Sequence, residues 1–251
     1  MSTTETETET ALRKTPEAPQ ETGSMKNSKE YGVKIDRFFR SVKSGRKVKP
    51  ADFADPLGAL IYGLVSESMM ERQAKKIFKN LQSHFIGYND LRVSRSEEIQ
   101  EILEDMTPQG EQIAANLTRI LSAVFDKYDE LNLKAISEQG KRQAKKELEE
   151  LPGVTRFAVN FCFLAALEGH AIPLTETMMN FLKSRELIDP QATQEEIDAF
   201  LERHIPASRG WEFYELLRQA AETGGKKRLP PKKQPKPVKK SGDKKEKMSR
   251  D

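Results

Sequence analysis

Residues 145–167 read KKELEELPGVTRFAVNFCFLAAL, and this stretch decides the fold. Its first half is charged, with Leu148 and Leu151 spaced for one apolar face, while its second half is almost wholly apolar. Pro152 cannot continue a helix, because its ring removes a donor and clashes with the preceding turn. Gly153 accepts the positive φ of a tight turn. The pattern therefore predicts a helix over 141–151, a turn at Leu151-Pro152-Gly153-Val154, and a second helix over 155–168. The first N–H groups of the second helix have no intrahelical acceptor, so a phosphate can accept from them, alone or through a bound cation. Such a grip holds a nucleic acid backbone without reading bases. The candidate contact residues are Pro152, Gly153, Val154, Thr155 and Arg156, with Lys145 and Lys146 on the first helix. Lys141 and Arg142 belong to the same basic run, but Glu147, Glu149 and Glu150 interleave with it. An ordinary solvated helix face explains the run equally well.

Working outward, the pattern is helical from 31 to 222. Leu57, Leu60, Ile61, Leu64, Val65, Met69, Ile77 and Phe78 form a broad apolar face over 56–81, as one helix or two abutting. A short helix is predicted over 97–103, with Ser94 as N-cap and Glu97 completing a capping box. Ile113, Leu117, Ile120, Leu121, Val124 and Phe125 mark 110–128. Further helices are predicted over 174–187, 194–203 and 209–222. Alternating β-branched stretches are few, and Asn-Gly or Asp-Gly hairpin turns are missing from the sequence. The reading is an all-α domain over 31–225.

The chain has 251 residues, of which 32% are charged and 36% apolar. The apolar share is low for one body of that length. The net charge of +3 conceals an asymmetry: 1–24 carry −3, 226–251 carry +9, and 25–225 carry −3. Residues 1–30 read as a disordered acidic tail, since Thr-Glu alternation followed by Pro and Gly cannot bury enough apolar surface to offset chain entropy. Residues 226–251 mix Lys with Pro and read as an extended polycation. Lys226, Lys227, Arg228, Lys232 and Lys233 lead that tail, which would attract nucleic acid phosphate without sequence preference. A solubilising role is the plainer reading. No apolar run is long enough for a membrane span, and the N-terminus lacks the apolar core of a secretory signal. The expected location is cytoplasmic (nucleoid-associated) or nuclear, not secreted.

The LPGV segment resembles the helix-hairpin-helix of the HhH-GPD superfamily of DNA glycosylases, the endonuclease III relatives of base-excision repair. Two flanking landmarks extend the resemblance over about 50–222. Leu64-Val65-Ser66-Glu67-Ser68-Met69-Met70-Glu71 stands where the family carries a pattern like L-L-S-x-Q-x-T-D. Ile172-Pro173-Leu174-Thr175-Glu176-Thr177-Met178-Met179 stands where it carries one like A-V-D-T-H-V-x-R. The resemblance implies a helix-hairpin-helix DNA glycosylase-like fold and double-stranded DNA as partner, with damaged or abasic DNA among the candidate targets.

The chemistry that the resemblance implies is not carried over. Family members that cut the strand use a lysine nucleophile on the second hairpin helix, and that position is Phe157. The aspartate that supports the cationic transition state falls on Leu174. Glu176, two residues on, would point to the opposite helix face and reads as a first-turn acid. The second hairpin glycine of the family is Thr155, which crowds the approach of phosphate. The glutamine that fills the gap left by a flipped base is Ser68, too short for that task. Cys162 is the sole cysteine, so neither a disulfide framework nor the four-cysteine iron–sulfur loop of many relatives is expected; no cofactor is expected at all. Cys162 itself reads as a core thiol.

His84, His170 and His204 are dispersed without metal-ligand spacing. Met69, Met70, Met178 and Met179 read as core filling, and Trp211 as an anchor for the last helix. The leading expectation is a DNA-binding protein without activity on a glycosylase scaffold, with Phe157 and Leu174 filling the former site. Two alternatives stay open: a glycosylase with displaced catalytic residues, and a helical protein-interaction module, which the acidic balance of 25–225 favours.

Overall fold

The computed structural model describes residues 25–224 except 26, 46 and 54. The expected basic tail, and the expected acidic tail up to residue 24, lie outside the described residues. Among the described residues the chain is helical and contains no strand. Helix α1 spans Ser28–Lys43, so the expected border at residue 31 falls inside it. The predicted 56–81 helix is two: α2 (Pro56–Ser66) and α3 (Glu71–His84). Two short helices that the periodicity did not single out, α4 (Tyr88–Val93) and α7 (Lys134–Ser137), flank α5 (Ser96–Leu103) and α6 (Pro108–Tyr128). The charged helix α8 is Lys141–Glu149 and the apolar α9 is Arg156–Ala165. Then come α10 (Glu176–Ser184), α11 (Gln194–His204), a 3-10 turn at Ala207–Arg209 and α12 (Gly210–Glu222).

Two of these helices form the axis of the core. Every residue of α2 is buried. Asp55 starts it, its side chain accepting from the Gly58 N–H at 3.0 Å. The helix crosses α9 so closely that a Cβ on Gly63 would stand 2.9 Å from the Ala158 Cα. This crossing fixes the start of α9, and with it the turn from α8. Around the axis, Phe53, Tyr62, Phe78, Phe161, Trp211 and Tyr214 pack ring on ring, at centroid distances of 5.1–6.2 Å. Trp211 also donates to the Lys49 carbonyl at 2.8 Å, as expected of an anchor.

The far end of α2 is held by a buried cation. Arg218 of α12, 2% exposed, donates to the carbonyls of Ser66 (2.7 Å) and Met69 (2.8 Å) and to the Tyr214 hydroxyl (2.7 Å). Its Nε lies 3.0 Å from both Glu71 and Glu222. Arg218 thus supplies a donor that the last carbonyl of α2 lacks within the helix, and a second to the turn leading to α3.

The expected capping box at Ser94 does not form. Arg95 is the N-cap of α5, no side chain caps it, and the Ser94 hydroxyl donates instead to the Asp90 carbonyl at 2.8 Å. Short α4 ends just before, and its last turn takes that hydroxyl. A capping box does form at α11, where Thr193 and Glu196 exchange hydrogen bonds with each other's backbone N–H.

Candidate nucleic-acid interface

The turn between α8 and α9 is built as the sequence demands. Gly153 has φ +85°, and its backbone lies against α6: an added Cβ would stand 3.0 Å from Asn116 Oδ1 and 3.3 Å from Arg119 NH1. The conformation therefore calls for glycine there, and an added Cβ would also press on the Asn116 and Arg119 side chains. Val154 N–H donates to the Leu151 carbonyl at 3.3 Å and closes the turn. Thr155 is extended (φ −102°) and caps α9, its hydroxyl accepting from Ala158 N–H at 3.1 Å. A second glycine at 155 is therefore not required by conformation; the threonine supplies a cap that glycine would lack. The donors of Arg156 and Phe157 remain in the first turn, where no intrahelical acceptor exists.

The basic side chains expected at this surface are largely engaged. Arg156 donates through Nε to the buried carboxylate of Asp198 at 2.9 Å and through NH1 to Glu195, both on α11. Burial pushes the Asp198 carboxyl up to about 6 against the pull of Arg156. Its second oxygen, Oδ1, is buried without a hydrogen bond. Lys146 pairs with Glu150 at 3.8 Å, and Lys145 sits 5.6 Å over the Phe163 ring. Lys141 donates to the Glu168 carbonyl. Gly140, Lys141, Arg142, Lys145, Glu149 and Phe163 line a shallow depression of roughly 720 Å³ beside α8.

Phe157 and Leu174 are 3% and 5% exposed and belong to the same apolar core. Phe157 stacks on Phe161 at 6.2 Å, approaches Tyr214 at 6.5 Å, and faces the Arg218 guanidinium at 5.9 Å. Glu176 is exposed in the first turn of α10, whose cap is Thr175. The sequence reading missed one carboxyl near the hairpin. Glu67, just past α2, has its pKa raised by burial, with the Thr155 hydroxyl opposing that shift. Nothing in the spacing of Glu67 marks it, since it sits in a turn between two helices. Ser68 and Met70 are exposed, Met178 is fully buried, and Met69 and Met179 pack on the core. The exposed Met70 therefore departs from core filling; as the residue preceding α3 it lies outside that helix's apolar face.

Of the histidines, His84 meets Glu98 at 3.1 Å, while His170 and His204 bond to carbonyls at 2.8 and 2.9 Å. A four-thiolate cluster does not fit this chain. Its one thiol, Cys162, is buried, has its pKa raised by that burial, and donates to the Pro56 carbonyl at 3.2 Å. Among the described residues no group of three or more His, Cys, Asp or Glu could hold a metal ion, and no helix is long and apolar enough to cross a membrane.

A turn of this geometry between a charged and an apolar helix defines a helix-hairpin-helix protein. Solved structures narrow the class. The chain is similar to a non-covalent endonuclease III–DNA complex (17% identity, TM-score 0.61, covering 78% of this chain and 86% of that one). It is also similar to the Clostridium acetobutylicum 8-oxoguanine glycosylase/lyase in complex with double-stranded DNA (16%, TM-score 0.60, 79% and 71%). A third is the H. pylori 3-methyladenine DNA glycosylase bound to 1,N6-ethenoadenine (10%, TM-score 0.55, 78% and 98%). No family model and no curated protein matches the sequence. The fold is that of the helix-hairpin-helix DNA glycosylases.

Proposed function

We propose that this chain binds double-stranded DNA through its hairpin and basic C-terminal segment, without base excision or strand cleavage. The observation that carries this reading is the pairing of an intact hairpin with buried apolar side chains at Phe157 and Leu174. The hairpin keeps what backbone binding needs: a positive-φ glycine, a capped second helix and first-turn donors. The fold neighbours in complex with DNA support the same partner. The two positions that the resemblance assigns to chemistry hold no nucleophile and no titratable group. Lys226, Lys227, Arg228, Lys232 and Lys233 would add affinity that falls steeply with salt.

The acidic balance of 25–225 and the internal pairing of Arg156 support a second reading, a protein-interaction module. One experiment separates the two. Duplex binding is measured against salt for the full chain and for a full-length variant with those five tail cations changed to Gln. Plain and abasic DNA are compared, and the samples are assayed for strand scission and base release. Residual salt-sensitive binding by the variant, with no product, is expected. Complete loss of binding in the variant would favour the interaction module. Turnover on a damaged or abasic duplex would establish an enzyme with displaced catalytic residues.

A further inference from the structure

The cations around the hairpin differ in whether their charge is already neutralised. Arg156 has two carboxylate partners, Lys146 has one, and Lys145 lies over an aromatic ring. Arg119 of α6 differs from all three. Its side chain is exposed, and among the described residues no carboxylate pairs with it. Its NH1 donates to Asn116 Oδ1 at 3.0 Å, and the same oxygen accepts from Gln112 at 2.9 Å. Its Cδ and NH1 lie 3.3 Å from the place a Cβ on Gly153 would occupy, so its stem flanks the turn.

We infer that Arg119 is the side chain with which the hairpin grips a DNA backbone phosphate, and that Arg156 is instead a strut joining the hairpin to α11. The inference rests on the DNA-binding reading above and names its working cation. Three features support it. The Arg119 charge is not cancelled internally, so its attraction for an anion is undiminished. Its bond to Asn116 holds the guanidinium in one place, which lowers the ordering cost of binding. One NH1 donor is used and four N–H donors remain, in the planar fork that matches phosphate. Arg156, in contrast, would have to leave the buried Asp198 carboxylate without its cation before it could serve a phosphate fully.

The test uses the full-length chain carrying the five tail substitutions, with Arg119→Gln, Arg119→Lys and Arg156→Gln added singly. Duplex affinity is measured across a salt series, and thermal stability in parallel. Arg119→Gln is expected to reduce the slope of log affinity against log salt by about 0.9, the contribution of one phosphate contact. Its stability should stay near that of the parent. Arg119→Lys should keep the slope but bind more weakly, because the ammonium lacks the fork. Arg156→Gln should keep the slope and lower the melting temperature. An unchanged slope in Arg119→Gln, with binding retained, would overturn the assignment and leave the DNA-binding reading standing. So would parent-like affinity in Arg119→Lys, which decides the matter even if Arg119→Gln fails to fold. Loss of all binding in the tail-substituted parent would overturn both.

Discussion

The guanidinium of Arg156, at the first position of α9, donates to the carboxylate of Asp198 on α11 at 2.9 Å, across 42 residues of sequence. This pair ties the hairpin to the C-terminal helices, and it makes stability depend on pH. Burial raises the Asp198 pKa from 3.8 to about 6. The folded state therefore holds this proton more tightly than the unfolded chain. The stability contributed by Asp198 is complete below about pH 4 and is lost as pH rises through about 6. Removing Arg156 takes away the hydrogen-bonded cation that does most to offset the burial and leaves only the weaker pull of Lys145. Arg156→Gln is expected to cost about 1–3 kcal/mol at pH 7 to 8 and distinctly less at pH 5, where the carboxyl is protonated. Melting temperatures of both proteins between pH 5 and 8 check this; a gap that stays constant with pH would refute it.

Arg218 offers a second test of stability. It is the buried cation between the Ser66 carbonyl that ends α2, the Met69 carbonyl of the following turn, the Tyr214 hydroxyl, and the carboxylates of Glu71 and Glu222. Arg218→Met would strand all of these partners. A loss of about 3–5 kcal/mol is expected from denaturant unfolding, the usual consequence of removing one member of a buried ionic cluster. Arg218→Lys should recover only a minor part, because one ammonium cannot reach all the acceptors that the guanidinium fork spans. A lysine variant as stable as the parent would show that charge alone suffices there.

The α8–α9 hairpin was legible because Pro-Gly punctuates a charged run and an apolar run, a local signal. The same locality explains what was not legible. Asn116 and Arg119 meet Gly153, and Asp198 meets Arg156, through tertiary contacts that leave no spacing pattern. Nothing in the pattern of 209–222 marks Arg218, which is buried. Helices α4 and α7, of six and four residues, are too short for a helical period to show. At Ser94 the rule failed because a preceding helix competed for the hydroxyl.

The hairpin itself tolerates some changes and not others. Gly153→Ala combines a left-handed φ with a close approach to Asn116, and a loss of about 1–3 kcal/mol is expected. Thr155→Ala removes the cap of α9 and should cost about 1 kcal/mol, whereas Thr155→Gly should cost only a few tenths. Urea midpoints order the three variants. A Thr155→Ala protein as stable as the parent would remove the cap from the account of why threonine stands there.

The last prediction concerns the absent chemistry. Phe157 occupies the position that the resemblance assigns to a lysine, inside a cluster with Phe161 and Tyr214 and with the Arg218 guanidinium 5.9 Å from its ring. Phe157→Lys would place an ammonium in an apolar setting near a fixed cation, which favours its neutral form but also expels it from the core. Leu174, at the position assigned to the supporting acid, is buried and uncharged. The single variant is therefore expected to lose stability and to show neither strand scission at an abasic site nor a borohydride-trapped adduct. The double variant Phe157→Lys, Leu174→Asp restores both groups in type, and any trapped adduct should appear only there. Cleavage by Phe157→Lys alone would mean that another carboxyl already reaches the site. Glu67, half-buried, would then be the first residue to replace, since its carboxyl bonds the Thr155 hydroxyl that caps α9.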